Sequence, residues 1–383
     1  MLFKEIVGHQ KIKKQLIDGA NKNRVPHAQL FVGNSGSAKL AIAFAYSQFL
    51  NCENKQEKDS CNACASCLRF KSLTHPDLHL IFPILKNSKT KITISDTIID
   101  KWREKALKNP YLSLNDWIET IDSTNKTGKK GAIYKDEALN IQKKIGLKNY
   151  EAKYRIVLVW MPETMNLESA NKLLKTFEEP PKGTVFLLIS EDEKKLLKTV
   201  RSRFQKVKVP DFSQEEVLEY FKAKSISEDQ VKKTISFLGV DLGLIIKSIE
   251  KSDDEIDFFP LFSEWMRLCY KIDIEGICKW VDSICAEGRQ RQKQFISYST
   301  KMIRDCLIYN FANHTLLKVT NQEKNFLEKF SPFVNEENTI IIAEQLERVN
   351  VNLERNGSSK ILFFELSLQM TKNLKLKRNF VKK

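Results

Sequence analysis

The first half of the chain alternates short apolar runs with stretches of helical period, whereas the second half keeps only the helical period. Residues 29–32 form a brief apolar run closed by Gly33, and residues 40–50 read as the helix that succeeds it. Residues 78–82 predict a second strand. Residues 156–159 and 185–189 are unbroken apolar runs, the pattern of strands buried on both faces. Between them, residues 167–179 predict a helix with Leu173, Leu174 and Phe177 on its apolar side, stopped by Pro180 and Pro181. Strand, helix, strand in that order predicts a parallel α/β sheet.

One stretch breaks this rhythm. Residues 86–131 are polar and basic, carry Trp102 and Trp117 on helix-like segments, and end in a basic run over 125–131 that reads as a mobile loop. The two tryptophans read as core anchors of a small helical insertion. After Pro210 strand signals vanish. Ser213 with Glu216, and Ser227 with Gln230, have capping-box spacing at helix starts, and Gly239 and Gly243 punctuate the next helical stretch. From about residue 257 the text is long and helical, with Phe258, Phe259, Phe262, Trp265 and Leu268 early and Ile361 to Phe364 and Leu366 late. Residues 372–383 contain no acid and read as a frayed basic end. The expected plan is an α/β domain over 1–210, a small helical domain over 211–255 and an all-α domain over 256–383.

Composition narrows the function classes. With 13 Gly and 10 Pro in 383 residues, fibrous and low-complexity architectures are excluded. Lys and Arg number 63 against 48 Asp and Glu, a balance of +15 that favours anionic partners, nucleic acid first. No apolar run approaches the ~20 residues that cross a bilayer, and the first residues lack the pattern of a secretory leader. The expectation is a soluble, cytoplasmic protein with no membrane partner. Four of the eight cysteines, Cys269, Cys278, Cys285 and Cys306, are scattered through helical text and are expected to be small buried hydrophobes.

The other four are clustered. Cys52, Cys61, Cys64 and Cys67 place four sulfurs within sixteen residues, with two-residue gaps that let successive side chains turn toward one ion. A disulfide pair is disfavoured in the expected compartment, and an iron–sulfur cluster lacks the Pro that often comes after such runs. Structural zinc is the favoured reading, stapling a module over 52–67.

The turn after the first strand carries a damaged phosphate loop. A P-loop reads G-x-x-x-x-G-K-[ST]: its glycines let backbone N–H groups face phosphates, its Lys reaches the terminal ones and its hydroxyl ligates Mg²⁺. Gly33, Gly36 and Lys39 are present here, but Ala38 replaces the second Gly and Leu40 the Ser/Thr. The acids that should end the next buried strand are missing too, since residues 156–159 lead into Trp160, Met161 and Pro162, with Glu163 late and Glu178 and Glu179 a helix away. Phosphoryl transfer depends on positioning and on metal charge. The expectation is a nucleotide-binding fold that no longer hydrolyses, with ATP binding itself in doubt.

Arg201 and Arg203 lie where an α/β core would pass to its next strand. Alone, such a pair reads as a solvated basic turn. In a phosphate-loop domain, an arginine at a subunit edge can also reach a neighbour's γ-phosphate.

Together these pieces resemble the delta-prime subunits of the bacterial DNA polymerase III clamp loader, a family of the AAA+ superfamily. The matching residues are Ile6 to Gln10, the degenerate phosphate loop, the four clustered cysteines, the run from Ser169 to Pro181 ending in Phe177-Glu178-Glu179-Pro180-Pro181, and Thr199 to Arg203. The resemblance implies an AAA+-like α/β domain with an inserted zinc module, a helical lid and an all-α C-terminal collar. It implies that Arg203, with Ser202, acts as a finger in the ATP site of an adjacent subunit. Cys52, Cys61, Cys64 and Cys67 would hold zinc, Gly33, Gly36 and Lys39 would be a vestigial phosphate site, and Ser190 would occupy a sensor position. Residues 239–245 look like the second sensor helix, but the arginine expected there is not evident and Lys247 is a distant substitute. Phe204 stands where the family has Cys.

The implied function is that of a non-hydrolysing subunit of a hetero-oligomer, partnered by clamp-loader ATPase subunits and the delta subunit, and by the sliding clamp and primed DNA through the complex. The isolated chain is then no ATPase, although it would belong to the DNA polymerase III holoenzyme, a nucleotidyltransferase. The rival readings are an active gamma/tau-type ATPase subunit, which needs a metal ligand at position 40 and acids near 160, and a zinc-containing nucleic-acid-binding protein.

Overall fold

Five parallel strands make one sheet: β1 Ala28–Val32, β2 Leu78–Ile81, β3 Arg155–Trp160, β4 Thr184–Ser190 and β5 Gln205–Lys208, in the order β2-β3-β4-β1-β5. The structure, a computed structural model, describes residues 1–86, 92–122, 131–250, 258–311, 319, 321–354 and 357–375. The parallel α/β sheet expected from the apolar runs is present. β3 and β4 are buried along their whole length, as unbroken apolar strands must be. β5 buries only Val207 and lies at the sheet edge.

Helices cover both faces. On one, Ile156, Leu158, Leu187 and Ile189 pack against the helix Lys39–Leu50, whose every residue is buried. On the other, Val157, Val159, Phe186 and Leu188 meet Ile141, Leu173 and Phe177 from the helices Lys135–Gly146 and Leu167–Glu178. The alternation of odd and even strand residues between these cores is the period-two geometry of a strand. Asn166 caps the second of these helices by accepting from Ser169 N–H at 2.9 Å, and the helix stops before Pro180.

The described residues of the 86–131 stretch contribute to this core. Their helices Ile99–Lys108 and Leu114–Ile121 bury Trp102 and Trp117 completely, as anchors should be. Trp102 stacks on Phe82 at 5.0 Å, meets Phe44 edge-on at 6.1 Å and lies 6.1 Å from Trp160 at the end of β3. Trp117 donates its indole N–H to Pro83 O at 2.7 Å. Trp102→Ala should therefore cost about 3–5 kcal/mol of stability, measurable by chemical denaturation; a loss below about 1 kcal/mol would mean that the insertion is peripheral. The basic run over 125–131 lies, apart from Gly131, outside the described residues, as does 376–383 of the basic C-terminal end.

The chain divides into two compact units, Met1–Ser252 and Asp253–Lys383. The first includes the helices Gln214–Lys222, Glu228–Leu238 and Leu242–Glu250. At Ser213 the capping box is complete, Glu216 N–H donating to Ser213 Oγ and Ser213 N–H to Glu216 Oε2; at Ser227 only the hydroxyl half forms.

In the second unit the described elements are helical, among them Phe259–Lys271, Ile274–Ala286, Arg289–Asn310, Glu336–Glu354 and Ser359–Asn373. Trp265 stacks on Trp280 at 5.2 Å and donates to Ser367 Oγ at 2.9 Å. Cys269 and Cys306 are buried, as expected, but Cys278 is exposed and Cys285 half-buried. Both of the latter come one residue after the buried positions Ile277 and Ile284, which turns them off the apolar stripe of their helix. Among the described residues, no helix is long and apolar enough to cross a membrane.

Candidate functional site

Because all strands are parallel, their C-terminal ends share one edge, where such sheets place ligands. β1 ends at Val32, and residues 33–38 turn into the helix Lys39–Leu50. Gly36 has φ +70°, and a Cβ there would lie 2.0 Å from Asp241 Oδ1; the loop needs glycine both for its backbone and for this neighbour. Gly33 N–H donates to Ser190 O and Ser37 N–H to Asn34 O, each at 3.3 Å, so two backbone donors are already used within the protein.

Lys39, 4% exposed, turns back into the loop. Its Nζ donates to Asn34 O at 2.7 Å and lies 3.6 Å from Glu191 Oε1. Burial lowers the Lys39 pKa, opposed by the carboxylates of Glu191, Glu163 and Asp241. Burial likewise raises Glu191 and Asp241, with Lys39 working the other way. Lys39 is thus paired with Glu191, and the further acids Glu163 and Asp241 add negative charge that disfavours a polyphosphate. A cavity of about 240 Å³ remains beside the loop, with Asn34, Ser35 and Ser37 on one side and Asp211 and Asp241 on the other.

Other residues along this edge are buried or already engaged by the protein. Trp160 ends β3 and is buried against Trp102. Glu163 Oε1 is engaged by Glu191 N–H at 2.8 Å and Asp192 N–H at 3.4 Å. Ser190 ends β4, fully buried, with no partner for its hydroxyl among the described residues. Gly8 has φ +63°, and a Cβ there would meet Glu216 Oε1 at 1.9 Å. Lys247 binds Asp116 Oδ1 at 2.6 Å and Glu119 Oε2 at 2.9 Å, which commits it to the insertion helix Leu114–Ile121. From the segment 239–245 it is Asp241, an acid, that reaches the loop.

Arg203 lies elsewhere. It comes after the short helix Lys198–Arg201 and precedes β5, whose Gln205 pairs with Gln29. It is therefore at the N-terminal edge of the sheet, about 10 Å of strand from the end of β1. Arg203 Nε donates to Glu178 Oε1 at 2.6 Å, Nη2 pairs with the same carboxylate, and Nη1 donates to Thr199 O. Ser202 Oγ donates to Thr199 O at 3.2 Å. Phe204 is buried and meets Phe177 edge-on at 5.0 Å.

The four clustered cysteines converge, their sulfurs all within 4.8 Å of one another. Cys64 caps the helix Ala65–Lys71, accepting from Cys67 N–H at 3.4 Å. Cys61 Sγ accepts from Ala63 N–H at 3.5 Å and Cys64 N–H at 3.3 Å, and Cys52 Sγ from Cys61 N–H at 3.3 Å. Bonds of this kind favour thiolate: those from Ala63 and Cys64 hold Cys61 down at about 6, while burial raises Cys52 and Cys67. Four soft ligands with no open position suit a tetrahedral structural metal ion. Asp59, between Cys52 and Cys61, accepts from Phe3 N–H at 3.2 Å and Lys4 N–H at 3.0 Å, tying this loop to the N-terminal segment.

Residue patterns did not reveal Asp241, Glu191 or Glu178. The first lies in a segment flagged for a missing cation, the second one residue past a strand end, and the third in the Phe177–Pro181 run, where it reads as an acid but not as a partner of Arg203.

Residues 8–213 match the family model described as DNA polymerase III, delta subunit. Among curated proteins, the chain is similar to DNA polymerase III subunit delta' of Bacillus subtilis, 28% identical over 195 residues that cover 51% of this chain and 45% of that one. It is also similar to subunit tau of the same organism, 26% identical over 204 residues, 53% of this chain and 28% of the other. The chain thus spans less than half the length of these relatives. Among solved structures, a DNA polymerase III gamma subunit-related protein from Thermotoga maritima aligns with 95% of this chain and 99% of its own, at 12% identity and a TM-score of 0.41.

Proposed function

This chain belongs to the DNA polymerase III, delta subunit family, and from that premise we propose that it is a delta-prime-type, non-hydrolysing clamp-loader subunit. In this reading 1–210 is the AAA+-like domain, 211–255 its helical lid and 256–383 a collar that joins a hetero-oligomer. ATP bound by neighbouring subunits drives clamp opening, and primed DNA triggers hydrolysis with help from Arg203. Zinc held by Cys52, Cys61, Cys64 and Cys67 staples the 52–67 loop and takes no part in chemistry.

One observation carries the reading: the protein's own acidic side chains crowd the phosphate loop. Asp241 stands against Gly36, Lys39 is met by Glu191, and Leu40 offers no metal ligand. The buried Trp160 replaces an acid at the strand end, so a Mg²⁺ site lacks both of its protein anchors. Arg203 supports the same conclusion from the opposite edge, since it lies too far from its own loop to serve it.

The direct test is a titration of the isolated chain with ATP, with and without Mg²⁺. Binding weaker than about 1 mM, no effect of the metal and no turnover are expected. Saturable Mg²⁺-dependent binding with steady hydrolysis would instead make this an active subunit of the gamma/tau type.

A further inference from the structure

We infer that Glu178 is a positioning residue that aims the Arg203 guanidinium for its work in the neighbouring site; the inference rests on the trans-acting role proposed above. The arginine has five N–H donors in a rigid plane. Nε and Nη2 are spent on the Glu178 carboxylate and Nη1 on Thr199 O, which fixes the plane and leaves one N–H on each terminal nitrogen. Through Nη1 and Nη2, those two can meet a phosphate end-on. The side chain is 27% exposed, so part of it reaches solvent, where a partner can meet it.

The backbone under this pair is held by the core. Phe177 and Phe204, the buried edge-to-face pair, are the immediate neighbours of Glu178 and Arg203. Phe177 is fixed in the helix Leu167–Glu178, which ends against Pro180 and Pro181, and Phe204 leads into β5. The buried contact sets the distance between the two chain segments and the exposed ion pair sets the angle of the guanidinium. An exposed ion pair adds little to folding stability, so stability alone gives this pair no role. Orientation does, because a reacting geometry misplaced by an ångström costs orders of magnitude in rate.

The test uses the complete complex reconstituted with its ATPase subunits, clamp and primed DNA, and reads kcat and KM for ATP. Arg203→Ala defines the share of turnover that depends on the finger. Glu178→Ala should remove about nine-tenths of that share, a tenfold loss at the site, with KM unchanged. Glu178→Gln keeps an oxygen acceptor and should stay within about threefold of the unsubstituted complex. The melting temperature of both Glu178 variants should match that of the unsubstituted chain. If Arg203→Ala lowers turnover but Glu178→Ala leaves it unchanged or raises it, the positioning role is overturned and the finger stands. Equal losses in Glu178→Ala and Glu178→Gln would assign the effect to charge and also overturn it. If Arg203→Ala itself does nothing, the underlying reading fails first.

Discussion

Arg203→Ala is expected to slow ATP hydrolysis at the adjoining active site of the assembled complex by about 10³-fold or more, with this chain still folded. The guanidinium would offset charge that develops on the transferred phosphoryl group. Its place at the N-terminal edge of the sheet lies away from Gly33 and Lys39, so under the proposed reading the phosphate is a neighbour's. The exposed pair with Glu178 contributes at most about 1 kcal/mol to folding, so the variant should melt close to the parent. Rapid-quench measurement of the DNA-triggered burst should lose the share of one site, and Arg203→Lys, which keeps the charge but not the planar fork, should recover little of it. A full burst from the Arg203→Ala complex would refute the finger.

Loss of the metal should have the next largest effect, on stability. Closing a loop of about fifteen residues is worth about 3 kcal/mol in lost chain entropy, and the Cys52–Cys67 span is of that size. Cys61→Ser removes the sulfur that accepts from both Ala63 and Cys64. It should lower bound zinc well below one ion per chain and lower the melting temperature of the first unit by about 6–12 °C. Because Asp59 joins the loop to Phe3 and Lys4, the N-terminal segment should lose amide-exchange protection at the same time. Elemental analysis of the purified protein gives the control: a chain that carries no zinc, yet melts like one with four intact cysteines, would leave the cluster without this role.

The amino-acid order by itself determined the parallel sheet. Residues 156–159 and 185–189 are short apolar runs without interruption, the pattern a strand covered on both faces carries. Four cysteines at short spacing announced their own convergence, and Gly33, Gly36 and Lys39 announced a phosphate loop together with the losses at 38 and 40. These are local signals, carried by neighbours within one or two turns of chain. Which side chains crowd the loop was decided by tertiary structure alone. Asp241 reaches Gly36 from about 200 residues further along the chain, Trp102 covers Trp160 from a segment that read as an excursion, and Glu178 meets Arg203 across the ends of two elements. Each is an ordinary residue in its own stretch of sequence. Charge and burial act through space, so their meaning at a site appears only when folding brings distant segments within a few ångströms of one another.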